Sequence, residues 1–436
     1  MTERNARIAL AILFFVYVFA IRTYDIATTF LMLGEQTRDW TIALGGITNL
    51  PLVGAPSTAG GRGFGPAYYW LLWLGRMIIG PFMDNLPHAG GITVALFQSI
   101  ADVWLLMALS RRIHWALALA LCLLIASAPF DIAISSLIWN PPVAAAFIKM
   151  ATAMALSLTA ASPIWHVAIA AALAWMAVQS HLSGIFVAAP LLVALAVTKR
   201  LKGLLVATAT VLILQIPFLI SLVREPSAPA GPTAAISGLT HPQAFRPWVA
   251  YASVTGITGN LVIPLYDDSE FTLPVFIAAI VVAIIYRKDL PLIAVTACGI
   301  VMATVLFTTS TRPYDGYWFV TLTTAMILLF GMAIAAIPSK KVVQWIGFAL
   351  LAIVAWRQPA RIEDSKRFFK YPQYGTMVKA SQDLIVKAPV VRDIKLEFEV
   401  HPTMDRFFIY KILGGKIDSS ALYTAVFDSN GSVRLQ

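Results

Sequence analysis

Two carboxylates and a guanidinium stand close together in GEQTRDW, residues 34–40. Glu35 and Asp39 are four residues apart and Arg38 is three residues from Glu35, so on a helix the three side chains share one face. A second carboxylate makes such a group more basic, whereas a guanidinium makes it less basic. The stretch therefore has the chemistry of a general base or a cation site. An exposed ion pair on a solvated interfacial helix has the same spacing.

A loop rich in glycine and proline follows, LPLVGAPSTAGGRGFGPAYYW (50–70), with Arg62 inside it and Tyr68 and Tyr69 near its end. Its composition disfavours regular structure and exposes backbone N–H groups, which can cradle a phosphate. The P-loop pattern GxxxxGK[ST] is absent, so the loop is equally typical of a flexible connector.

The segment SAPFDIAISSLIWNPP (127–142) ends in Asn140 and two prolines, a composition typical of a helix start. Lys149 lies about two turns further along, inside an apolar run. An ionisable residue at membrane depth is costly unless it faces a cavity or a partner. Lys149 is therefore a candidate ligand for an anionic substrate.

Two later stretches carry further candidates. QSHLSG (179–184) contains His181, which can bind phosphate, shuttle protons or serve as a hydrogen-bonded structural residue at a helix end. TSTRPYDGYWF (309–319) contains Arg312 and Tyr314. A guanidinium binds phosphate bidentately, although an interfacial arginine among aromatic residues is also a common membrane anchor.

The composition is that of a polytopic membrane protein. Hydrophobic residues make up 59% of the chain, charged residues 12%, and the mean hydropathy is +0.77. Soluble domains carry about twice that share of charge. The formal net charge of +10 comes largely from basic residues in short loops, which indicates membrane topology rather than nucleic-acid binding. The two cysteines lie in apolar segments and predict neither a disulfide framework nor a metal site.

About eleven apolar segments are long enough to be membrane-spanning helices. They are residues 8–21, 91–110, 115–129, 142–160, 164–179, 182–198, 203–223, 271–286, 290–309, 317–337 and 342–357. With a cytoplasmic N-terminus, the four basic clusters that lie between predicted spans all fall on the inner face: Arg111–Arg112, Lys199–Lys202, Arg287–Lys288 and Lys340–Lys341. All the candidate site loops then lie on the outer face, which predicts one outward-facing cavity.

The outer face also receives two larger pieces. The first loop, about 22–90, contains GPAYYWLLWLGRMIIG (65–80), which is apolar but carries Arg76, and counting it as a span would invert every later basic loop. We therefore predict an interfacial helix with Tyr68, Tyr69, Trp70 and Trp73 as an aromatic belt. The remaining piece, 358–436, mixes charge with alternating stretches and is predicted to form a small α+β domain, with residues 1–357 as the membrane domain.

The order of these motifs resembles the bacterial membrane glycosyltransferases of the glycosyltransferase C superfold, in particular relatives of protein O-mannosyltransferases and of the lipid A aminoarabinose transferase. GEQTRDW resembles the family's acidic element in the first outer loop, IWNPP and QSHLSG resemble two later loop elements, and RPYDGYWF lies where members have a Pro/Tyr-rich outer loop. The resemblance covers roughly residues 5–340. The sequence departs from the family at two positions. Glu35 replaces the commoner Asp, and Asn140 replaces a second acidic residue of the aminoarabinose-transferase branch.

The resemblance implies an all-α polytopic enzyme that transfers a sugar, with inversion, from a polyprenyl-phosphate-linked donor to a hydroxyl on a glycolipid, polysaccharide or protein. The reaction is expected at the periplasmic face of the inner membrane, with the C-terminus periplasmic. The implied partners are the lipid-linked sugar, membrane lipids and the acceptor, with no nucleic acid. No cofactor is firmly implied, and a divalent metal is left open. The implied catalytic carboxylate is Glu35, or else Asp39, and the substrate-binding candidates are Arg38, Arg62, Tyr68, Tyr69, Asn140, Lys149, His181, Arg312 and Tyr314.

Two other functions remain open from the sequence. A transporter or flippase of a lipid-linked glycan predicts charges along several spans and broken helices in symmetric positions, and Lys149 and Asp102 are the clearest such charges. An O-antigen polymerase or ligase is also multi-span, but its large loop comes late in the chain rather than first.

Overall fold

The structure is a computed structural model that describes residues 3–56, 62–159, 161–224, 320–366 and 368–436. The predicted spans 271–286 and 290–309 lie outside the described residues. The helices, numbered along the described chain, are α1 Glu3–Thr23, α2 Ile26–Thr29, α3 Gly34–Leu44, α4 Ala67–Ile78, α5 His88–Leu109, α6 Trp115–Ala126, α7 Pro129–Ile134, α8 Asn140–Ser157, α9 Trp165–Ser180, α10 Ile185–Arg224, α11 Val320–Ala335, α12 Lys340–Ser365, α13 Gln373–Lys387 and α14 Phe408–Ile412. The strands are β1 Val390–Val391, β2 Asp393–Leu396, β3 Lys416–Ile417, β4 Thr424–Phe427 and β5 Val433–Leu435.

Four of the described helical segments are long and apolar enough to cross a bilayer, namely Asn5–Thr29, His88–Leu109, Leu201–Arg224 and Lys340–Ser365. Shorter apolar helices, such as Trp165–Ser180, pack among them. Several predicted spans coincide with helices to within a few residues. The protein is thus a multi-pass helical membrane protein.

Helix α10 is assigned as one helical stretch of 40 residues, where the sequence predicts two spans. The Gln179 amide donates to the Leu214 carbonyl at 2.6 Å, so Leu214 lies next to the end of α9. A straight helix would hold Leu214 about 44 Å from Ile185, whereas the short chain from Gln179 to Ile185 spans at most about 20 Å. The chain therefore reverses direction within this stretch, as the two predicted spans require.

Helix α6 is shorter than its predicted span, 115–129, because it ends at Ala126. Pro129 occupies the first turn of α7, and a proline disfavours helical backbone in the residue before it. The Arg361 guanidinium donates to the carbonyls of Leu124 and Ser127, at 2.8 and 2.7 Å, and so satisfies the end of α6.

The predicted interfacial helix is α4. Its 12 residues span about 18 Å, which is too short to cross a bilayer. A Cβ at Gly75 would collide with the Thr93 side chain of α5, so the glycine lets the two helices approach closely. Trp70, Leu74 and Met77 are exposed along the other side. The aromatic-belt prediction is wrong for Tyr68 and Tyr69, which are fully buried because both hydroxyls turn inward to a carboxylate of α3.

The C-terminal segment, residues 368–436, contains both helices and strands. Strand β4 pairs in parallel with β2 and antiparallel with β5, giving the order β2-β4-β5, and β1 pairs in parallel with β3. The segment packs on the first loop: the Tyr374 hydroxyl lies 2.9 Å from His88 Nδ1, and the Tyr371 N–H donates to the Thr29 carbonyl at 2.9 Å. The segment therefore lies on the same membrane face as the first loop. The domain boundary at 357/358 stays a prediction, and α12 continues across it to Ser365.

Candidate functional site

Helix α3 carries the charged stretch and is fixed at its start by three hydrogen bonds. The Leu33 N–H donates to the Gln36 side chain at 3.1 Å, and the Gln36 amide donates to the Ile138 carbonyl at 3.4 Å. The Gly34 N–H points at the Thr403 hydroxyl, 3.5 Å away in the C-terminal segment. These contacts occupy free donors that every helix start exposes. They hold the first turn of α3 between the membrane helices and the C-terminal segment.

Asp39 is the buried carboxylate of this helix, with 2% of its surface exposed. One oxygen, Oδ1, accepts from Arg38 Nε at 2.8 Å and from the Tyr69 hydroxyl at 3.1 Å. The other oxygen, Oδ2, accepts from the Tyr68 hydroxyl at 3.0 Å. Three donors, one of them cationic, thus converge on a single carboxylate. We call Arg38, Asp39, Tyr68 and Tyr69 the α3–α4 cluster.

The electrostatics of the α3–α4 cluster keep its donors protonated. Burial raises the pKa of both Tyr68 and Tyr69, and the negative charge of Asp39 raises it further. Burial by itself lowers the pKa of Arg38, but the hydrogen bond and charge of Asp39 outweigh it and the net shift is upward. At neutral pH the cluster is therefore one cation, one anion and two neutral hydroxyl donors.

Glu35 lies one turn before Asp39, on the same face of α3, and is exposed. Its charge acts on Arg38, whose side chain is 37% exposed. The stretch therefore separates its two carboxylates by environment. Asp39 is enclosed by donors, whereas Glu35 faces solvent beside a guanidinium.

The glycine-rich loop closes against α9 as a short backbone bridge. The Gly54 N–H donates to the Gly63 carbonyl, and the Gly63 N–H donates to the Ala55 carbonyl, both at 3.0 Å. A Cβ at Gly54 would collide with the Gln179 carbonyl and with the Gly63 backbone, so a glycine is needed there for close approach. The loop places Arg62 near enough for its charge to act on Tyr69. Arg62 thus joins the candidate site.

Asn140 and His181 lie where α8 begins and α9 ends. The Asn140 amide donates to the Ser180 carbonyl at 2.9 Å, which ties these two ends together. His181 Nδ1 lies 2.7 Å from the Ser183 hydroxyl. Burial lowers the pKa of His181 to about 3, so the imidazole is neutral at pH 7 and does not provide a positive charge for a phosphate.

Lys149 belongs to a different cluster. Its ammonium lies 2.8 Å from Asp102 Oδ1, 3.7 Å from Asp131 Oδ1 and 2.7 Å from the Gln98 side-chain oxygen. Arg22 lies 2.6 Å from Asp102 and 2.8 Å from Asp131. The contacts to Asp102 are ion pairs by distance without well-aligned hydrogen bonds. We call these two cations and two anions, from α1, α5, α7 and α8, the four-charge network.

The structure thus brings Glu35, Arg38, Asp39, Tyr68 and Tyr69 together, with Arg62 in their neighbourhood. It places Asn140 and His181 where α8 begins and α9 ends, and Lys149 in a separate network. Arg312 and Tyr314 lie outside the described residues. Within the described ranges, no three His, Cys, Asp or Glu side chains converge as a metal site. The sequence analysis missed Arg22 and Asp131. Their signal was that two residues of opposite charge each lie one or two positions after the end of a predicted span.

Solved structures provide the comparison, since no protein-family model and no curated protein sequence matches the chain. The chain is similar to ArnT from Cupriavidus metallidurans bound to undecaprenyl phosphate, with a TM-score of 0.63 and 13% identity over 94% of this chain and 86% of that one. The apo state of ArnT gives a TM-score of 0.59 at 13% identity, over 94% and 85% of the two chains. The predicted polytopic helical architecture is confirmed, because the chain shares the glycosyltransferase C fold of ArnT over most of both chains. The count of about eleven spans and the small C-terminal α+β domain stay predictions.

Proposed function

We propose that the protein transfers a sugar from a polyprenyl-phosphate-linked donor to a hydroxyl on a glycolipid, polysaccharide or protein, at the periplasmic face of the inner membrane. The observation that carries the proposal is an exposed carboxylate, Glu35 on helix α3, one turn from the buried Asp39 and the arginine and tyrosines of the α3–α4 cluster. The fold adds support, because ArnT holds undecaprenyl phosphate on a similar backbone.

Glu35 is the proposed general base. Its carboxylate takes the acceptor hydroxyl proton while the acceptor oxygen bonds to the anomeric carbon. The carbon–oxygen bond to the phosphate breaks on the opposite face, and its electron pair leaves with the lipid phosphate. Inversion follows from that geometry. A positioned base contributes roughly 10²–10⁴ in rate, and the exposure of Glu35 leaves its oxygens accessible to an incoming hydroxyl.

Asp39 takes a positioning role in this proposal. Its two oxygens already accept from Arg38, Tyr68 and Tyr69 at 2.8–3.1 Å, which leaves little capacity for a substrate proton. The same contacts fix the Arg38 guanidinium next to Glu35 and lock α3 onto α4. Asp39 therefore sets the geometry in which Glu35 works.

The leaving phosphate requires cationic donors. Among the described residues we assign this role to Arg38, within the α3–α4 cluster, and to Arg62, whose charge acts on Tyr69. A guanidinium presents two parallel donors to phosphate oxygens. Arg312 is assigned the same role from its motif. Lys149 is left out because its ammonium is committed to Asp102 and Gln98.

The four-charge network also weakens the alternative that the protein is a transporter. Transport requires membrane-depth charges that face a pathway. Lys149 and Asp102 contact each other at 2.8 Å and are each 1% exposed. They neutralise one another instead of facing an open path.

The experiment is release of polyprenyl phosphate from a labelled polyprenyl-phosphate sugar by the full chain in lipid nanodiscs, with membrane glycolipids as acceptors. Wild-type protein is expected to release the lipid phosphate, Glu35→Gln to do so at least 100-fold more slowly, and the matched exposed variant Glu399→Gln to match wild type. No release by wild type with any hydroxyl acceptor would contradict the enzyme. Movement of intact donor across sealed vesicles without release would favour transport.

A further inference from the structure

A pocket opens at the end of the membrane helices that faces the first loop. It lies between the C-terminal ends of α1 and α12 and the side of α7. Its lining includes Arg22, Tyr24, Ile362, Lys366, Phe368 and Lys370, and none of the candidate site residues of α3 and α4. It is therefore separate from the proposed reaction site.

The chain around this pocket is basic. Residues 357–370 contain five basic and two acidic side chains, although the opposite end of α12 already begins with two lysines. Basic residues in excess normally mark the cytoplasmic ends of spans. A second basic cluster at the other end of the same helix therefore requires a different explanation.

Two of these cations are available at the pocket. Arg361 is occupied by carbonyls at the end of α6. Within the part of the chain that the structure describes, the Lys366 ammonium contacts only the exposed Glu363, at 2.8 Å. Lys370 is half-buried, forms no ion pair with a described carboxylate, and lies 6.0 Å from the centre of the Tyr24 ring. Arg22 also lines the pocket, and its buried Nε–H has no acceptor among the described residues.

The rest of the wall is apolar. Ile21 and Ile362 line the pocket from α1 and α12, and Phe368 and Phe369 stand beside it, about 40% and 37% exposed. Tyr24 also lines the pocket and is exposed, and tyrosine rings at the ends of membrane helices are typical of the lipid headgroup level. Cations next to an apolar wall at that depth suit a ligand with an anionic head and hydrocarbon chains.

We propose that this pocket binds the phosphate-bearing headgroup of an anionic phospholipid, with Lys366 and Lys370 at the headgroup and Ile362 and Phe368 along the acyl chains. This proposal does not depend on the transfer reaction, because neither Glu35, Asp39 nor any other residue of α3 or α4 lines the pocket.

The test is native mass spectrometry of the full chain in detergent, titrated with phosphatidylglycerol, phosphatidylcholine or inorganic phosphate. The double variant Lys366→Gln/Lys370→Gln is expected to bind phosphatidylglycerol about 10- to 30-fold more weakly. The matched double variant Lys395→Gln/Lys416→Gln, on exposed C-terminal lysines, is expected to bind like wild type. Phe368→Ser is expected to weaken the lipid but not inorganic phosphate.

Three outcomes would overturn the proposal. Equal weakening in both double variants would show a general charge effect. Equal affinity for phosphatidylcholine would remove the requirement for net negative charge. Displacement of phosphatidylglycerol by an equal concentration of inorganic phosphate would show a phosphate site with no lipid component.

Discussion

The α3–α4 cluster and the four-charge network contain similar charged groups but differ in whether a charge stays accessible to a substrate. Both contain an arginine paired with an aspartate at 2.6–2.8 Å. In the network all four charges are buried and cancel, so no charge is left for a substrate. Beside the α3–α4 cluster stands one further carboxylate, Glu35, that is exposed. The difference indicates that an ionisable group is a candidate for chemistry when its neighbours leave it accessible, and not simply when it lies in the membrane.

The environments explain how each arrangement persists. A buried charge is tolerated when an opposite charge and hydrogen bonds replace its lost water. Arg22 donates to the Ser99 hydroxyl at 3.1 Å and Lys149 to the Gln98 side chain at 2.7 Å, in addition to their ion pairs. The network therefore connects α1, α5, α7 and α8 and fixes their positions relative to one another. The α3–α4 cluster instead joins two helices that both belong to the first loop.

The largest expected effect is at the accessible carboxylate. Glu35→Gln is expected to slow polyprenyl-phosphate release about 10²- to 10⁴-fold, because the amide takes no proton. Glu35→Asp should recover part of the rate, since it restores the charge with a shorter reach. Initial rates at saturating donor check this, and equal rates for Gln and wild type would remove Glu35 from the mechanism.

The next largest effect is on stability in the network. Lys149→Met is expected to lower the free energy of unfolding by about 3–5 kcal/mol, because it leaves a buried negative charge uncompensated. Adding Asp102→Leu should recover much of that loss, since Arg22 and Asp131 then remain as a neutral pair. Unfolding in mixed detergent micelles measures both variants. A double variant less stable than Lys149→Met would contradict the charge balance.

A smaller loss of stability is expected when the carboxylate of the α3–α4 cluster is neutralised. Asp39→Asn keeps the shape but removes the charge that three donors share, and should cost about 2–3 kcal/mol. Its rate per folded molecule is expected to fall less than that of Glu35→Gln. The same unfolding and release assays decide this, and a larger fall in rate for Asp39→Asn would make Asp39 the base.

The smallest effect is expected from one hydroxyl. Tyr68→Phe removes the single donor on Asp39 Oδ2 and should cost about 1.5 kcal/mol while leaving the ring packed. Tyr374→Phe is the matched control, because its buried hydroxyl contacts His88 and no carboxylate. Chemical unfolding measures the loss of stability in both variants. A larger loss for Tyr374→Phe than for Tyr68→Phe would contradict the idea that the Tyr68 hydrogen bond is strengthened by the charge of Asp39.

The sequence predicted local features well. The spans near α1, α5, α8 and α9 followed from apolar runs, and Glu35 and Asp39 were placed on one helix face by their four-residue spacing. The reason is that helix length and helix face depend on neighbouring residues.

The sequence did not reveal which side chains from distant parts of the chain contact each other. Arg22 is 109 residues from Asp131, and no spacing rule links side chains on separate helices. Lys149 was therefore taken for a substrate ligand when its partner is Asp102. The same limit applied to Tyr68 and Tyr69, because an interfacial helix does not show which of its aromatic side chains turn inward to a carboxylate on another helix.

The most direct test of this account is the initial rate of polyprenyl-phosphate release per folded molecule, compared for Glu35→Gln and Lys149→Met. The account predicts a loss of about 10²- to 10⁴-fold for Glu35→Gln and a rate near wild type for the folded fraction of Lys149→Met. A wild-type rate for Glu35→Gln, together with a collapse for folded Lys149→Met, would show that the buried network and not the exposed carboxylate carries the chemistry.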